Sequence, residues 1–264
     1  MPLIDPLLLK KLLGPLAGRF DVDALVECDS TNSELMRRAA QGAPSGAVIV
    51  ADQQSAGRGR RGRSWLSSPD DSLMFSLLWR HTGDPARIGG LSLAVGVALA
   101  EALGALGAQG VCLKWPNDVL LRQGQSFAKL AGILIELSSD RRGLQVVIGI
   151  GLNLHKPAQV LPQASAGLSE ALMPLPDRHA LLTAILASLV VVLDDFAVDG
   201  FCGLKTRWER CHAWQDRQVD LSGGEGEAVL SGRCAGVDQD GALLLETAQG
   251  VQRILAGDLS LRLA

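Results

Sequence analysis

The apolar residues of this chain recur at two spacings, and the switches between them divide it into elements. Leu7-Leu8-Leu9-Lys10-Lys11-Leu12-Leu13 sets two lysines into an apolar run and predicts one short amphipathic helix. Ser30-Thr31-Asn32-Ser33-Glu34 contains Thr-x-x-Glu, a capping-box pattern predicting a helix capped by Thr31, with Leu35, Met36, Ala39 and Ala40 on its apolar side. Residues 46–53 form a β-type run, and residues 72–80 alternate as a second strand. The stretch from about 86 to 106 is apolar on all sides and predicts a buried helix; it contains Glu101 and falls short of the ~20 residues a bilayer span requires. Residues 111–115 and 118–121 read as strands broken by a Trp115-Pro116-Asn117 turn. Residues 129–137 and 144–154 read as a hairpin about 138–143.

Texture changes twice after that. From His155 to Pro176 the chain is rich in Pro, Ala, Gln and Ser, which predicts an irregular crossing segment. Helices are expected over about 177–196 and 201–210. Beyond Asp216 come short β-type runs separated by glycine turns, at 218–221, 226–237, 242–247, 251–256 and 259–263, a spacing that predicts a small barrel. Two domains are therefore expected, 1–215 and 216–264.

Composition places the chain among globular proteins, since 47% of its 264 residues are hydrophobic and 20% charged. A net charge of −3 excludes a basic nucleic-acid footprint over the whole surface. The five cysteines (Cys28, Cys112, Cys202, Cys211, Cys234) contain no C-x-x-C pair and fit reduced thiols in a cytoplasmic protein. No leader or membrane span is expected, because the N-terminal leucine run is interrupted by its lysines.

Against that acidic background, Gly57-Arg58-Gly59-Arg60-Arg61-Gly62-Arg63-Ser64-Trp65 stands out as a mobile cationic loop. Glycines let backbone N–H groups approach an anion, and guanidinium groups offer planar paired donors to phosphate or carboxylate. The loop also fits the spacing of a dinucleotide fingerprint and of a P-loop. Both devices need a helix N-terminus directly after the loop. Here the chain continues into Trp65-Leu66-Ser67-Ser68-Pro69-Asp70-Asp71-Ser72, which has turn composition, so both are set aside.

Four motifs occur in order: Gly57 to Arg63 with Trp65; Lys114-Trp115-Pro116-Asn117-Asp118; Lys129-Leu130-Ala131-Gly132-Ile133-Leu134-Ile135-Glu136; and Gly149-Ile150-Gly151-Leu152-Asn153. Together with Ser30-Thr31-Asn32, Arg207-Trp208-Glu209 and Gly241-Ala242-Leu243-Leu244-Leu245-Glu246, they make the chain resemble the biotin–protein ligases. The resemblance implies an α+β fold, a mixed sheet packed by helices in the class II synthetase-like manner, followed by an SH3-like barrel. It also implies an enzyme with ATP and biotin as substrates and Mg²⁺ as cofactor. Biotin's carboxylate attacks the α-phosphate of ATP, and a lysine of the biotin carboxyl carrier protein of acetyl-CoA carboxylase then attacks the biotinyl-5′-AMP.

Carried over residue by residue, the resemblance assigns catalysis to Lys129 and Arg60. It assigns biotin to Ser30, Thr31, Asn32, Gln54, Gly57, Arg58, Gly59, Arg60, Lys129, Gly132 and Gly151. It assigns ATP to Arg58, Arg60, Arg63, Trp65, Lys114, Asn117, Asp118 and Asn153, with Asn117 and Asp118 beside Mg²⁺. A Ser/Thr/Asn/Gln set has the donors and acceptors that a ureido ring needs. A lipoate–protein ligase is the related alternative; its apolar-tailed ligand asks for neither that set nor the arginine loop. Some family members carry an N-terminal helix-turn-helix. Fewer than thirty residues precede Ser30, so no sequence-specific DNA binding is expected, and no membrane partner. The 144–154 strand, with Val146, Val147, Ile148 and Ile150, is expected at a sheet edge where a second copy or the carrier adds a strand.

Overall fold

A computed structural model describes residues 1–66, 68–81, 85–141, 143–159, 163–222, 230–255 and 260–263. Its first seven strands are β1 (Asp21–Cys28), β2 (Ala47–Gln54), β3 (Ser72–His81), β4 (Val111–Lys114), β5 (Asp118–Gln123), β6 (Ser126–Asp140) and β7 (Gly143–Asn153). They pair in the order β1-β2-β3-β7-β6-β5-β4, with β1 and β2 parallel and the other neighbours antiparallel. Among the described residues five α-helices accompany them: α1 (Pro6–Leu13), α2 (Thr31–Ala40), α3 (Leu91–Ala105), α4 (Arg178–Asp199) and α5 (Lys205–Cys211).

Local chemistry accounts for the helix ends. Asp5 caps α1 by accepting from the Leu7 N–H at 2.9 Å, proline stands in its first turn, and Gly14 closes it. Asp177 accepts from the His179 and Ala180 N–H groups to open α4. α3 begins at Leu91 rather than near 86, because a 3₁₀ turn at Pro85–Ile88 leads into Gly90 at φ 76°. At α2 the expected cap is displaced by one residue. Ser30 is the N-cap and makes no side-chain cap bond, while the Thr31 hydroxyl turns to Gln54 and Glu34 pairs with Arg37 and Arg38.

The sheet divides the core in two. Leu73, Phe75, Leu77, Ile148, Ile150, Leu152 and Ile133 point to the side covered by α3 and α4 and form the main core. On the opposite side α2 lays Leu35 and Ala39 on Ala47, Ile49, Leu78 and Val147. The run Arg178–Cys211 is long and apolar enough to cross a membrane, yet half of its most apolar window is buried within the fold.

Three sequence expectations are corrected here. β1 was not expected: half of its residues (Asp21-Val22-Asp23-Ala24-Leu25-Val26-Glu27-Cys28) are exposed, which suits an edge strand and gives weak alternation. β7, expected at an edge, lies inside the sheet with β3 on one side and β6 on the other, so its valines and isoleucines are buried among strands. The open edge belongs instead to β6. β5 pairs with it only as far as Gly132, and Ile133 is still held there by Asn117, leaving residues 134–140 with β7 on one side alone.

β8 (Gln218–Ser222), β9 (Leu230–Val237), β10 (Leu243–Thr247), β11 (Gly250–Ile254) and β12 (Ser260–Leu263) form an antiparallel sheet in the order β11-β10-β9-β8-β12. Among the described residues no pairing joins β11 to β12, so the expected barrel is seen as a five-stranded sheet. Residues 226–229, 256 and 259 of the expected strands lie outside the described residues.

The two sheets share one core and are joined by named contacts. Buried Trp115 donates its indole N–H to Gly241 O at 3.1 Å, and Ala213 N donates to Leu113 O at 2.8 Å. His212 stacks on Trp208 with ring centroids 4.3 Å apart and sits 3.9 Å from Cys234 Sγ of β9. Burial holds its imidazole down at about 4, against partial opposition from the Gln215 side chain. As pH falls the unfolded chain therefore takes up this proton first. The stability contributed by a neutral His212 is complete above about pH 6.5 and is lost as pH drops toward about 4. The full loss is about 3 kcal/mol. Urea midpoints should fall across that window, and His212→Gln should flatten the slope. A slope unchanged by the substitution would exclude His212 as its source.

Candidate active site

Sheet register alone places most of the site. Across the strands one row runs Ala51, Met74, Gly151, Gly132, Asp118, Lys114; the next runs Ile49, Ser76, Gly149, Leu134. Alternation puts both rows on the side that carries α2. Gly149, Gly151 and Gly132 thus form a floor without side chains, and above it opens a cavity of about 800 Å³. Ser30, Thr31, Asn32, Gln54, Arg58, Gly59, Arg60, Arg63, Trp65, Lys114, Asn117, Asp118, Lys129, Gly132, Gly151 and Asn153 all line it. Gly57 does not: a Cβ there would stand 2.4 Å from Trp65 O, so its role is to let the loop close on itself.

One end of the cavity is polar and neutral. The Thr31 N–H donates to Gln54 Oε1 at 2.7 Å, and Ser76 Oγ lies 2.8 Å from Thr31 Oγ1 and 2.6 Å from Asn32 Oδ1. Asn32 Nδ2 donates to Glu136 Oε2 at 2.9 Å. Gln54 Nε2 faces the sulfur of Met74, a weak acceptor. Ser30, Thr31, Asn32 and Ser76 are all buried. Gly149 is what allows this network to rest on the sheet, since a Cβ there would come within 2.1 Å of Asn32 Oδ1.

The other end is cationic. Asp118 receives Lys129 Nζ at 2.5 Å on one oxygen and Lys114 Nζ at 3.3 Å on the other. Burial works to raise the Asp118 carboxyl, but the two ammonium groups outweigh it and hold it below its ordinary range. Burial pushes the Lys114 ammonium down, and Asp118 opposes that. The Lys129 backbone is pinned on both sides: its N–H donates to Ala164 O and its carbonyl accepts from Ala166 N. Two charges on one carboxylate leave the cluster with an excess positive charge facing the cavity.

The arginine loop closes the top as a small hydrogen-bonded hairpin. Gly59 N donates to Arg63 O at 2.7 Å, Trp65 N to Gly57 O at 2.9 Å, and Arg61 takes φ 62° at its turn. No helix follows. Arg58 pairs with Glu136 at 2.8 Å, and Arg60 donates to Asn117 Oδ1 at 3.2 Å. The Trp65 ring lies over the glycine floor, where a Cβ on Gly151 would meet it at 2.5 Å, with Lys129 Nζ 5.7 Å from its centroid.

Two expected roles meet other partners here. Asn117 donates to Ile133 O and accepts from Arg60, while both Asp118 oxygens face ammonium groups, so this pair does not offer a magnesium cradle. Among the described residues no three His, Cys, Asp or Glu side chains gather as a metal site. Asn153, expected at the nucleotide, spends its amide donor on Lys129 O and Ala166 O and secures the strap beside Lys129. Sequence reasoning missed Ser76, whose signal was a lone hydroxyl inside an apolar strand. It also missed Trp214 and Arg262, which reach the cavity from beyond the seven-stranded sheet.

Known proteins share the sequence pattern and the fold. Residues 26–153 match the Biotin/lipoate A/B protein ligase family, and residues 216–262 match the Biotin protein ligase C terminal domain. The bifunctional ligase/repressor BirA of Escherichia coli is 39% identical over 259 residues, covering 97% of this chain and 78% of that protein. The biotin–[acetyl-CoA-carboxylase] ligase of Paracoccus denitrificans is 34% identical over 246 residues, covering 89% of this chain and 98% of its own. The Aquifex aeolicus biotin protein ligase in complex with biotin and ATP is similar with a TM-score of 0.78 at 31% identity, covering 92% of this chain and 99% of that one.

The glycine floor generates a stability prediction. Gly149→Ala should lose about 1–3 kcal/mol, because Asn32 and the sheet cannot both keep their places. Gly104→Ala, inside α3 where a Cβ meets nothing within 4 Å, should gain about 0.5–1 kcal/mol. Urea denaturation of both variants checks the pair. A neutral Gly149→Ala would show that the floor needs no glycine there.

Proposed function

This chain belongs to the biotin protein ligase family, and we propose that it joins biotin to ATP as biotinyl-5′-AMP and then transfers biotin to a lysine of the biotin carboxyl carrier protein of acetyl-CoA carboxylase. The observation that carries this reading is the joining of a neutral polar nook to a cationic floor within one cavity. Residues 1–215 act as the catalytic unit and residues 216–264 as its C-terminal partner.

Chemistry explains the division of the cavity. A ureido ring offers one carbonyl and two N–H groups, and Ser30, Thr31, Asn32 and Gln54 supply matching donors and acceptors. Lipoate carries no such ring and would leave that buried network without a polar partner, so the lipoate reading is not favoured. At the cationic end two anions must meet. Biotin's carboxylate oxygen bonds to the α-phosphorus as the bond to pyrophosphate breaks. Lys129 and Lys114 stand where negative charge gathers, in a site shielded from water. In the second half-reaction the carrier amine bonds to the acyl carbon, AMP leaves, and the nitrogen gives up its proton. Arg58 and Arg60, with Trp65 beneath them, form the lid that keeps water from the anhydride.

The carrier docks on the open edge of β6, whose backbone beyond Ile133 meets no strand on that side among the described residues. Leu137 is 50% exposed there, an apolar handle for an added strand. A second copy of this chain pairing through the same edge would compete with the carrier.

Two experiments follow. ATP–pyrophosphate exchange should depend on biotin and not on lipoate; exchange without biotin, or equal exchange with lipoate, would overturn the ligase reading. Lys129→Ala should slow adenylation and transfer by roughly a hundred- to a thousandfold, equivalent to about 3–4 kcal/mol. Near-normal exchange by folded Lys129→Ala protein would remove Lys129 from the chemistry.

The docking edge is tested separately. Leu137→Pro removes an edge N–H and the apolar handle together. It should raise the KM for the carrier while leaving adenylate formation unchanged. Equal carrier kinetics would place the docking surface elsewhere.

A further inference from the structure

Lys114 touches a residue outside the seven-stranded sheet. Its ammonium takes the looser share of Asp118, 3.3 Å against the 2.5 Å of Lys129. Its second contact is the face of the Trp214 ring, whose centroid lies 4.9 Å away. Trp214 stands in the linker between α5 and β8, and backbone pairing holds it in register with Lys114. Ala213 N donates to Leu113 O at 2.8 Å, and Leu113 forms a parallel bridge with His212. The residues preceding the cation and the ring are thus bonded to each other.

The ring itself is 6% exposed, and its buried N–H has no acceptor among the described residues. Buried tryptophans usually anchor that N–H. Here no indole hydrogen bond sets the ring, and its face against the ammonium is the polar contact it makes. A cation removed from water gains most from such a face, and Lys114 is almost wholly removed from water.

We propose that Trp214 is a positioning residue for Lys114, delivering an aromatic face from the C-terminal linker that holds the ammonium over the cavity floor for the nucleotide's phosphates. The proposal rests on the ligase reading. A fixed ammonium meets the triphosphate without reorganising, which is what electrostatic stabilisation requires. It also gives the linker into the second sheet a specific part in nucleotide binding.

A double-mutant cycle tests it. Trp214→Leu and Trp214→Phe are made in the natural background and with Lys114→Met, and biotin-dependent exchange is measured at varied ATP and varied biotin. Trp214→Leu should raise the KM for ATP about tenfold with the KM for biotin unchanged, and Trp214→Phe, which keeps a ring face, by about threefold or less. With Lys114→Met in place, either substitution should add less than about twofold. Equal losses in both backgrounds would overturn the proposal, since a merely structural tryptophan costs the same with or without the lysine. If Trp214→Leu does not fold, the Trp214→Phe cycle decides by the same criterion. Absence of exchange in the unsubstituted protein would sink the ligase reading instead. The cycle is then read on the Kd for ATP by calorimetry, where coupling supports Trp214 and additivity overturns it.

Discussion

One buried carboxylate shared by two ammonium groups sets the terms for the whole site. Asp118 is 9% exposed and holds Lys129 and Lys114 at once. Burial pushes the Lys114 ammonium down and the carboxylate opposes that, while the two ammonium groups together hold the carboxylate ionised against its own burial. The arithmetic does not close within the protein, because two positive charges face one negative charge. An anion entering the cavity would complete the pairing, so the cluster is preorganised at the expense of its own balance. The cost is met by geometry. Lys114 and Asp118 are cross-strand partners at the β4–β5 turn, and Lys129 is pinned by Ala164 and Ala166.

The glycine floor is the complement of that cluster. Placing small residues at Gly132, Gly149 and Gly151 forfeits side-chain packing on one side of the central strands. The loss is bearable because the other side carries the main core, with Phe75, Ile148, Ile150 and Leu152 fully buried. The α2 helix then fills the far end of the same side and brings Thr31 and Asn32 down onto the floor. Binding surface and core are therefore alternate residues of the same strands. A shift of register by one residue would exchange them.

The motifs were legible in the sequence because each combines residue types that packing alone would not choose, such as arginines among glycines or glycines alternating with isoleucines. Sixteen of the residues they pointed to line one cavity. What escaped is instructive for physical reasons. β1 is an exposed parallel edge strand and carries little apolar alternation. β7 was read as an edge because its residues are apolar, whereas a run apolar on nearly every position belongs inside a sheet. The Thr-x-x-Glu pattern at Thr31 named a cap that the fold moves to Ser30, freeing Thr31 for Gln54. Asn117 and Asp118 had the oxygens for a metal but not the freedom, a distinction that depends on neighbours distant in the chain. Trp214 and Arg262 gave no local signal, since Trp214 is brought near by the pairing of its linker with β4 and Arg262 by the second sheet.

The two half-reactions are linked through a single strand. β6 carries Lys129 and Gly132 in the cavity and, a few residues on, the open edge from Leu134 to Asp140. At about 3.3 Å per residue, the first free edge position stands roughly 10 Å or less from the floor. A carrier strand added there, as proposed, would approach the adenylate along a rigid ladder and not through a flexible loop. Glu136 lies on the same stretch, facing Arg58 of the lid and Asn32 of the nook. Occupying that edge therefore adjoins the ion pair that holds the lid. Activation needs the lid closed over the anhydride, whereas transfer needs one amine admitted to it. On the proposed reading, a strand that bears Lys129, the ion-pair partner of Arg58 and the open edge would let a single contact satisfy both demands in sequence.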